Sequence, residues 1–407
     1  MASEPGNNDV QKDTLVNHLE ICVSEAEKRA NGSLNIRDYY TVYLIETKVT
    51  DPDWDVTLSK LSTVWRRYTE FEQLREYLEL TYPYIVLPPL PEKRVLYGWQ
   101  KVTSDTFDPD FVDRRRAGLE NFLLRVASHN TLSHDKHFIE FLQQEESWKD
   151  SIKSNGYFQI AENKLKSLSV AVRLKKPNPQ FEKVKTYSNN LYININKLLK
   201  SRARVVEHQY NIYRLHGSYG RVFSEWSVIE KEMGDGLQKS GHYLDSLASS
   251  IDAALEDEEL YADQFKEYLF YATAVQSVCK RQEVLQLQLE NVEDNVLNKN
   301  AEKTKAQQGR TSIISRLFGA VDTDEVRELK VSLLDQRIHE EEQSVKTARE
   351  EVAEFTTKAL VDIERFQEQK VADLKETLAG YSILQLKTAR KGLQTWMHIR
   401  DCLQGIP

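Results

Sequence analysis

The sequence predicts two halves built on different rules. A small α+β domain, a three-stranded antiparallel sheet plus helices, stands in front of an all-α, elongated three-helix domain. Three observations carry this. Seven of the ten prolines occur by Pro109, and none lies between Pro179 and Pro407. Proline breaks helix interiors, so a proline-free stretch of that length can hold very long helices. Apolar residues behind Pro179 recur every three or four positions, whereas the front segment holds β-branched and aromatic runs with alternating character.

Residues 1–14, "MASEPGNNDVQKDT", have neither a basic start nor an apolar stretch and read as a disordered leader, not a secretory signal. The front domain spans 15–148. "HLEICVSEA", "YYTVYLIETKV" and "LSKLSTVWRRY" read as its three strands. Thr69 stands three residues before Glu72, a pattern expected to form a capping box at the start of a helix that carries Phe71, Leu74 and Leu78 on one face. The proline density of "YPYIVLPPLPEKR" favours an extended segment. A second helix follows in "DPDFVDRRRAGLENFLLRVAS", with Asp108 or Asp110 as its cap. Residues 149–178 form a linker. Within it Phe158, Ala161, Leu165, Leu168 and Val172 make one stripe, with Lys164, Lys166, Arg173, Lys175 and Lys176 around it. Two readings stand: an amphipathic helix lying in a lipid headgroup layer, or a linker helix packed between the domains.

The rear domain, 179–405, divides into helices at about 180–233, 237–304 and 323–403. Val184, Tyr187, Leu191, Ile195 and Leu198 form the first stripe, and Leu285, Leu289, Val292 and Val296 the second. The longest runs through Val345, Ala348, Val352, Phe355, Ala359, Ile363 and Phe366. Gly234 and Gly236 are expected to end the first helix. Helices of this size extend roughly 80 to 120 Å, too long for a compact globule, and stripes that one chain cannot cover call for a partner chain. Residues 310–319 at the far turn, with Arg310 and Arg316 beside Ile313, Ile314, Leu317 and Phe318, either cap the bundle or insert into a membrane. Lys197, Lys200, Arg202 and Arg204 either line a concave face or are simply solvated, and the acidic run "DAALEDEEL" reads as a solvated face. The acidic run is expected to turn away from lipid.

The formal net charge of −8 argues against nucleic acid as the main partner, while local clusters still decide contact with an anionic membrane surface. Cys22, Cys279 and Cys402 are scattered without metal-type spacing, which fits a reducing compartment. His134 and His137 have no third ligand near, so no metal site is expected. No phosphate-loop, zinc-protease or nucleophile-elbow motif is present, so neither an enzyme nor a cofactor is expected. No apolar run approaches the roughly 20 residues that cross a bilayer. What stands out is three tight basic clusters: Arg66–Arg67, Lys93–Arg94 and Arg114–Arg115–Arg116. Residues 60–118 hold ten basic and nine acidic side chains, so the signal is the clustering and not the sum. Each cluster lies at an element edge. Brought together they would form a cationic pocket, in which the arginine fork suits phosphate oxygens.

"RRYTEF", then "LPPLPEKR", then "DRRRAGLENFL" resembles the phox-homology (PX) domain of sorting nexins, and the proline-free region behind it resembles the BAR domain of the PX-BAR sorting nexins. The resemblance spans about residues 36–403. It implies an α+β PX domain followed by an all-α, elongated three-helix BAR domain. It further implies recognition of phosphatidylinositol 3-phosphate. By motif position Arg67 would grip the 3-phosphate, Tyr68 would stack under the inositol ring, Lys93 would meet the 1-phosphate and Arg115 would bond the ring hydroxyls. Arg66 is expected on the opposite face of the strand, because successive side chains alternate. A homodimer or a heterodimer with related PX-BAR sorting nexins, early endosomes, cargo recycling and autophagy-linked traffic are also implied. A rival reading is a coiled-coil scaffold or motor adaptor whose front domain binds protein.

Overall fold

The computed structural model describes residues 13–30, 39–51, 59–93, 107–144, 148, 173–308 and 324–406. The leader up to residue 12, the stripe at 158–172 and the far turn at 309–323 lie outside the described residues. Strands β1 (Leu19–Ala30), β2 (Tyr39–Val49) and β3 (Leu61–Arg67) pair antiparallel in the order β1-β2-β3. Helices α1 (Tyr68–Thr81), α2 (Pro109–Ala127) and α3 (Lys136–Gln143) complete the front domain. Val23, Tyr43, Ile45 and Val64 from the sheet, Phe71, Leu74 and Leu78 from α1, and Leu119, Phe122 and Phe141 from the later helices close one core.

Two local features fix the helices on the sheet. The β1–β2 register slips between Val23 and Glu25, a bulge that frees backbone groups. Helix α2 takes them: Val23 N–H donates to Glu120 at 2.8 Å, and Arg116 donates to the Val23 carbonyl at 2.5 Å. Strand β3 runs directly into α1, so no residue is spare for a separate cap. The expected Thr69–Glu72 box does not form. Arg67 holds the cap position, and Glu70 accepts its N–H at 2.6 Å. Asp108 caps α2 by accepting from Asp110 and Phe111 N–H.

Helices α4 (Pro179–Ser227), α5 (Gly234–Gln307) and α6 (Asp324–Gln404) form the rear bundle, with α5 packed along both others. Their 49, 74 and 81 residues correspond to about 75, 110 and 120 Å of helix. The first helix stops at Ser227, short of the expected glycines. Gly234 and Gly236 lie instead in the first turn of α5, where a Cβ on Gly236 would come within 2.8 Å of Ile406. Here glycine serves close approach and not termination. Likewise, α4 and α5 cross at Gly220 and Gly241, each of whose Cβ positions is 2.8 Å from the other's carbonyl oxygen.

Two side-chain expectations change. Leu198 is exposed and Leu199 is buried in its place, so the α4 stripe runs Phe181, Val184, Ser188, Leu191, Ile195, Leu199. Neither the acidic run nor the basic run is wholly solvated, since Arg202 is largely buried. Glu258 and Glu259 are buried, Arg202 reaches them at 3.1 and 2.7 Å, and Arg114 reaches Glu259 at 3.0 Å. Their partners come from α4 and α2, which no local pattern reveals.

The two domains share a buried seam. Val86, from the proline-rich segment, joins the bundle core with Phe181, Ile195, Tyr268 and Phe366. Asp362 on α6 accepts from Val86 N–H at 2.7 Å, His129 Nε2–H at 2.8 Å and Arg365 Nε–H at 2.8 Å. Around it Arg125 pairs with Glu267 and Asp373, and Arg281 with Glu79. Farther along the bundle, Leu215, Tyr219, Val222 and Trp226 on α4 and Leu386, Leu393 and Trp396 on α6 face outward at helical spacing.

Candidate functional site

The three arginines of "DRRRAG" start the site. Successive residues on a helix point about 100° apart, so three neighbours cannot serve one purpose. Arg114 turns to the bundle and pairs with Glu259, while Arg116 turns to β1 and the Val23 carbonyl. Arg115, between them, lies over the Tyr68 ring at 5.0 Å and the Phe111 ring at 4.4 Å, and donates to the Lys93 carbonyl at 2.8 Å.

Tyr68 is the centre. Its hydroxyl donates to the Pro91 carbonyl at 2.6 Å, tying the first turn of α1 to the proline-rich loop. The ring is half-buried against the core, and Lys93 Nζ stands 5.9 Å from its centroid. Burial raises the Tyr68 phenol well above its ordinary range, with Glu72 adding to the shift and Arg115 opposing it. Gly118 permits the arrangement: a Cβ there would lie 2.7 Å from Pro91 Cβ, so only glycine lets α2 press against the loop that carries Lys93.

Arg66 and Arg67 part company as strand alternation requires. Arg66 is fully buried, donates from Nε and Nη2 to the Phe141 carbonyl at 3.1 and 2.8 Å, and also bonds the Gln144 carbonyl. It is a structural residue. Arg67 is exposed, lies over the Tyr40 ring at 3.5 Å, and has no carboxylate partner among the described residues. Thus Tyr68, Lys93 and Arg115 are in mutual contact, while Arg67 reaches the group only as the chain neighbour of Tyr68.

Three contributors escaped the sequence reading. Tyr40 is a diagonal cross-strand neighbour of Arg67, because Val42 is the residue paired with Arg67. Phe111 lies four residues before Arg115, one helical turn. Glu72, assigned to a cap, instead binds Lys93 Nζ at 2.6 Å. The first two signals were legible in spacing; the third needed the loop's position. Among the described residues no group of three His, Cys, Asp or Glu could hold a metal ion. No described helix is long and apolar enough to cross a membrane.

The PX domain family profile matches residues 58–145, the segment that carries Arg67, Tyr68, Lys93 and Arg115. Sorting nexin-4 of Mus musculus is 48% identical over 392 residues, which is 94% of this chain and 86% of the relative. The chain belongs to the PX-BAR sorting nexins. Sorting nexin-30 of Homo sapiens is more distant, 24% identical over 368 residues, covering 90% of this nexin and 74% of the relative. Among solved structures, the SNX-BAR Mvp1 tetramer determined by cryo-EM is 17% identical with a TM-score of 0.63, covering 93% of this nexin and 99% of that chain. At that identity the likeness speaks for the fold: a PX domain carried on a BAR-type bundle. Membership sets the nexin among membrane-associated sorting proteins, a family of adaptors rather than enzymes.

Proposed function

We propose that this nexin reads phosphatidylinositol 3-phosphate on early endosomes and, as a BAR dimer, senses or stabilises membrane tubules in cargo recycling and autophagy-linked traffic. Arg67 grips the 3-phosphate, Tyr68 underlies the inositol ring, Lys93 meets the 1-phosphate, and Arg115 bonds the ring hydroxyls. The observation that carries the reading is the Tyr68 ring flanked by Arg115 and Lys93, next to an exposed Arg67 with no carboxylate partner among the described residues. A phosphate monoester brings nearly two negative charges, and each charge-assisted bond to it is worth roughly 1.5–3 kcal/mol. The outward stripes on α4 and α6 support a second chain, either a copy of this nexin or a related PX-BAR nexin. Two pockets on one membrane then make the second contact intramolecular.

Flotation with vesicles that carry or lack the 3-phosphorylated lipid tests this. Arg67→Ala should weaken flotation roughly ten- to hundredfold, as expected for one such bond, and leave the thermal midpoint unchanged. Equal flotation of both proteins would favour the scaffold reading, in which the PX domain binds protein.

A further inference from the structure

We propose that the helical bundle holds the lipid pocket in its binding shape, with Lys266 and Glu259 on α5 acting as positioning residues for Lys93 and Arg115. The inference deepens the lipid reading above and rests on it. Each of the two pocket cations has a chain neighbour anchored in the bundle. Glu92, just before Lys93, accepts from Lys266 Nζ at 3.2 Å. Arg114, just before Arg115, pairs with Glu259 at 3.0 Å. Glu259 and Lys266 are seven residues apart, about two helical turns, so one face of α5 carries both. Each anchor is itself fixed from the bundle side: Lys266 by Asp263 at 2.9 Å, and Glu259 by Arg202 at 2.7 Å. The two anchored segments meet where Arg115 donates to the Lys93 carbonyl at 2.8 Å.

The loop before Lys93 needs such anchors. Pro88, Pro89 and Pro91 have no N–H, so this stretch cannot be held by a backbone ladder of its own. From the front domain, Arg75 donates to the Pro88 carbonyl at 3.1 Å and Tyr68 to the Pro91 carbonyl at 2.6 Å. From the bundle, Arg281 donates to the Pro83 carbonyl at 2.9 Å, Asp362 accepts from Val86 N–H at 2.7 Å, and Lys266 reaches Glu92. The bundle contact next to Lys93 is also a buried one, since Lys266 is only 4% exposed. Burial disfavours its charge, but Asp263 and Glu92 prevail and hold its pKa above the ordinary value. A side chain already held in place does not have to be ordered when the ligand arrives, which is the gain from preorganisation.

The test titrates a short-chain, soluble phosphatidylinositol 3-phosphate into the full nexin as wild type, Glu92→Ala and Glu92→Gln. Both variants remove one negative charge beside an anion site, so charge alone predicts equal and slightly tighter binding for the two. Glutamine still offers Lys266 an acceptor, and alanine does not. Positioning therefore predicts that Glu92→Ala binds about three- to tenfold more weakly than Glu92→Gln, the cost of ordering one or two side chains at the moment of binding. That difference should vanish in a Lys266→Met background, with Asp263→Asn added so that no carboxylate loses its partner. Thermal midpoints establish that each variant is folded at the temperature of titration, and the first comparison decides alone should the double background not fold. Equal affinity of the two folded Glu92 variants would overturn the assignment while leaving the lipid reading intact. A difference that persists without Lys266 would overturn it too, since another partner of Glu92 would then be responsible. Wild type that binds no lipid would overturn the lipid reading and this inference together.

Discussion

The pocket and the seam are made from the same kinds of side chain yet balance their charges in opposite ways. At the seam each cation has its anion: Arg125 has Glu267 and Asp373, Lys266 has Glu92 and Asp263, Arg281 has Glu79, and Arg365 has Asp362. In the pocket, among the described residues, only Lys93 is matched by a carboxylate. Burial explains the difference. Charges removed from water must be paired within the fold, whereas an exposed surplus can await a ligand. A cluster of arginines therefore says little until its counter-ions are known. Arg114, Arg115 and Arg116 make the point, since only the middle one is left for a ligand.

The largest break in this comparison is expected at Asp362. Asp362→Ala leaves His129, Arg365 and the Val86 N–H without their acceptor in a buried site. Loss of one partner from such a cluster costs about 3–5 kcal/mol, readable in urea unfolding. A loss below about 1 kcal/mol would mean that the seam contributes little.

A smaller effect follows from pH. His129 Nδ1 accepts from Thr131 and Leu132 N–H, so its one proton lies on Nε2 and goes to Asp362. Burial holds the His129 pKa below its ordinary 6.5, and the Asp362 contact only partly offsets this. The unfolded chain then binds the proton more readily, so stability is full above about pH 6.5 and falls as the pH drops toward the folded value. The slope from this one group cannot exceed about 1.4 kcal/mol per pH unit. Burial also disfavours the Asp362 carboxylate, but His129 and Arg365 prevail and hold its pKa below 3.8, so its own contribution fades only in stronger acid. Urea midpoints between about pH 7.5 and 5.5 should fall for wild type and flatten in His129→Gln; parallel curves would exclude His129 as the cause.

The smallest effect sharpens the pocket side. Tyr40→Ala removes the platform under Arg67. An exposed cation–π contact is worth about 0.5–1 kcal/mol, a two- to fivefold loss of lipid binding. No change would show that Arg67 needs no platform.

What the sequence made legible follows from range. Strands, helices and the Arg66–Arg67 division rest on periodicities of a few residues, and the structure has them. The seam joins residues more than two hundred positions apart, such as Arg281 and Glu79, and no local pattern carries that. For the same reason Glu258 and Glu259 read as solvated, because nothing near them announces Arg202 or Arg114. Within the pocket, Lys93 and Arg115 come together only because Gly118 admits Pro91, a packing fact invisible in a one-dimensional pattern. Resemblance, not periodicity, singled out Arg115 from its neighbours.

Titration calorimetry of a short-chain, soluble phosphatidylinositol 3-phosphate into the full nexin tests the central claim most directly. An under-compensated cationic pocket predicts one lipid bound per chain, affinity that falls steeply with salt, and a loss of at least about tenfold in Arg67→Ala. Binding that is insensitive to salt, or that survives Arg67→Ala at full strength, would contradict it.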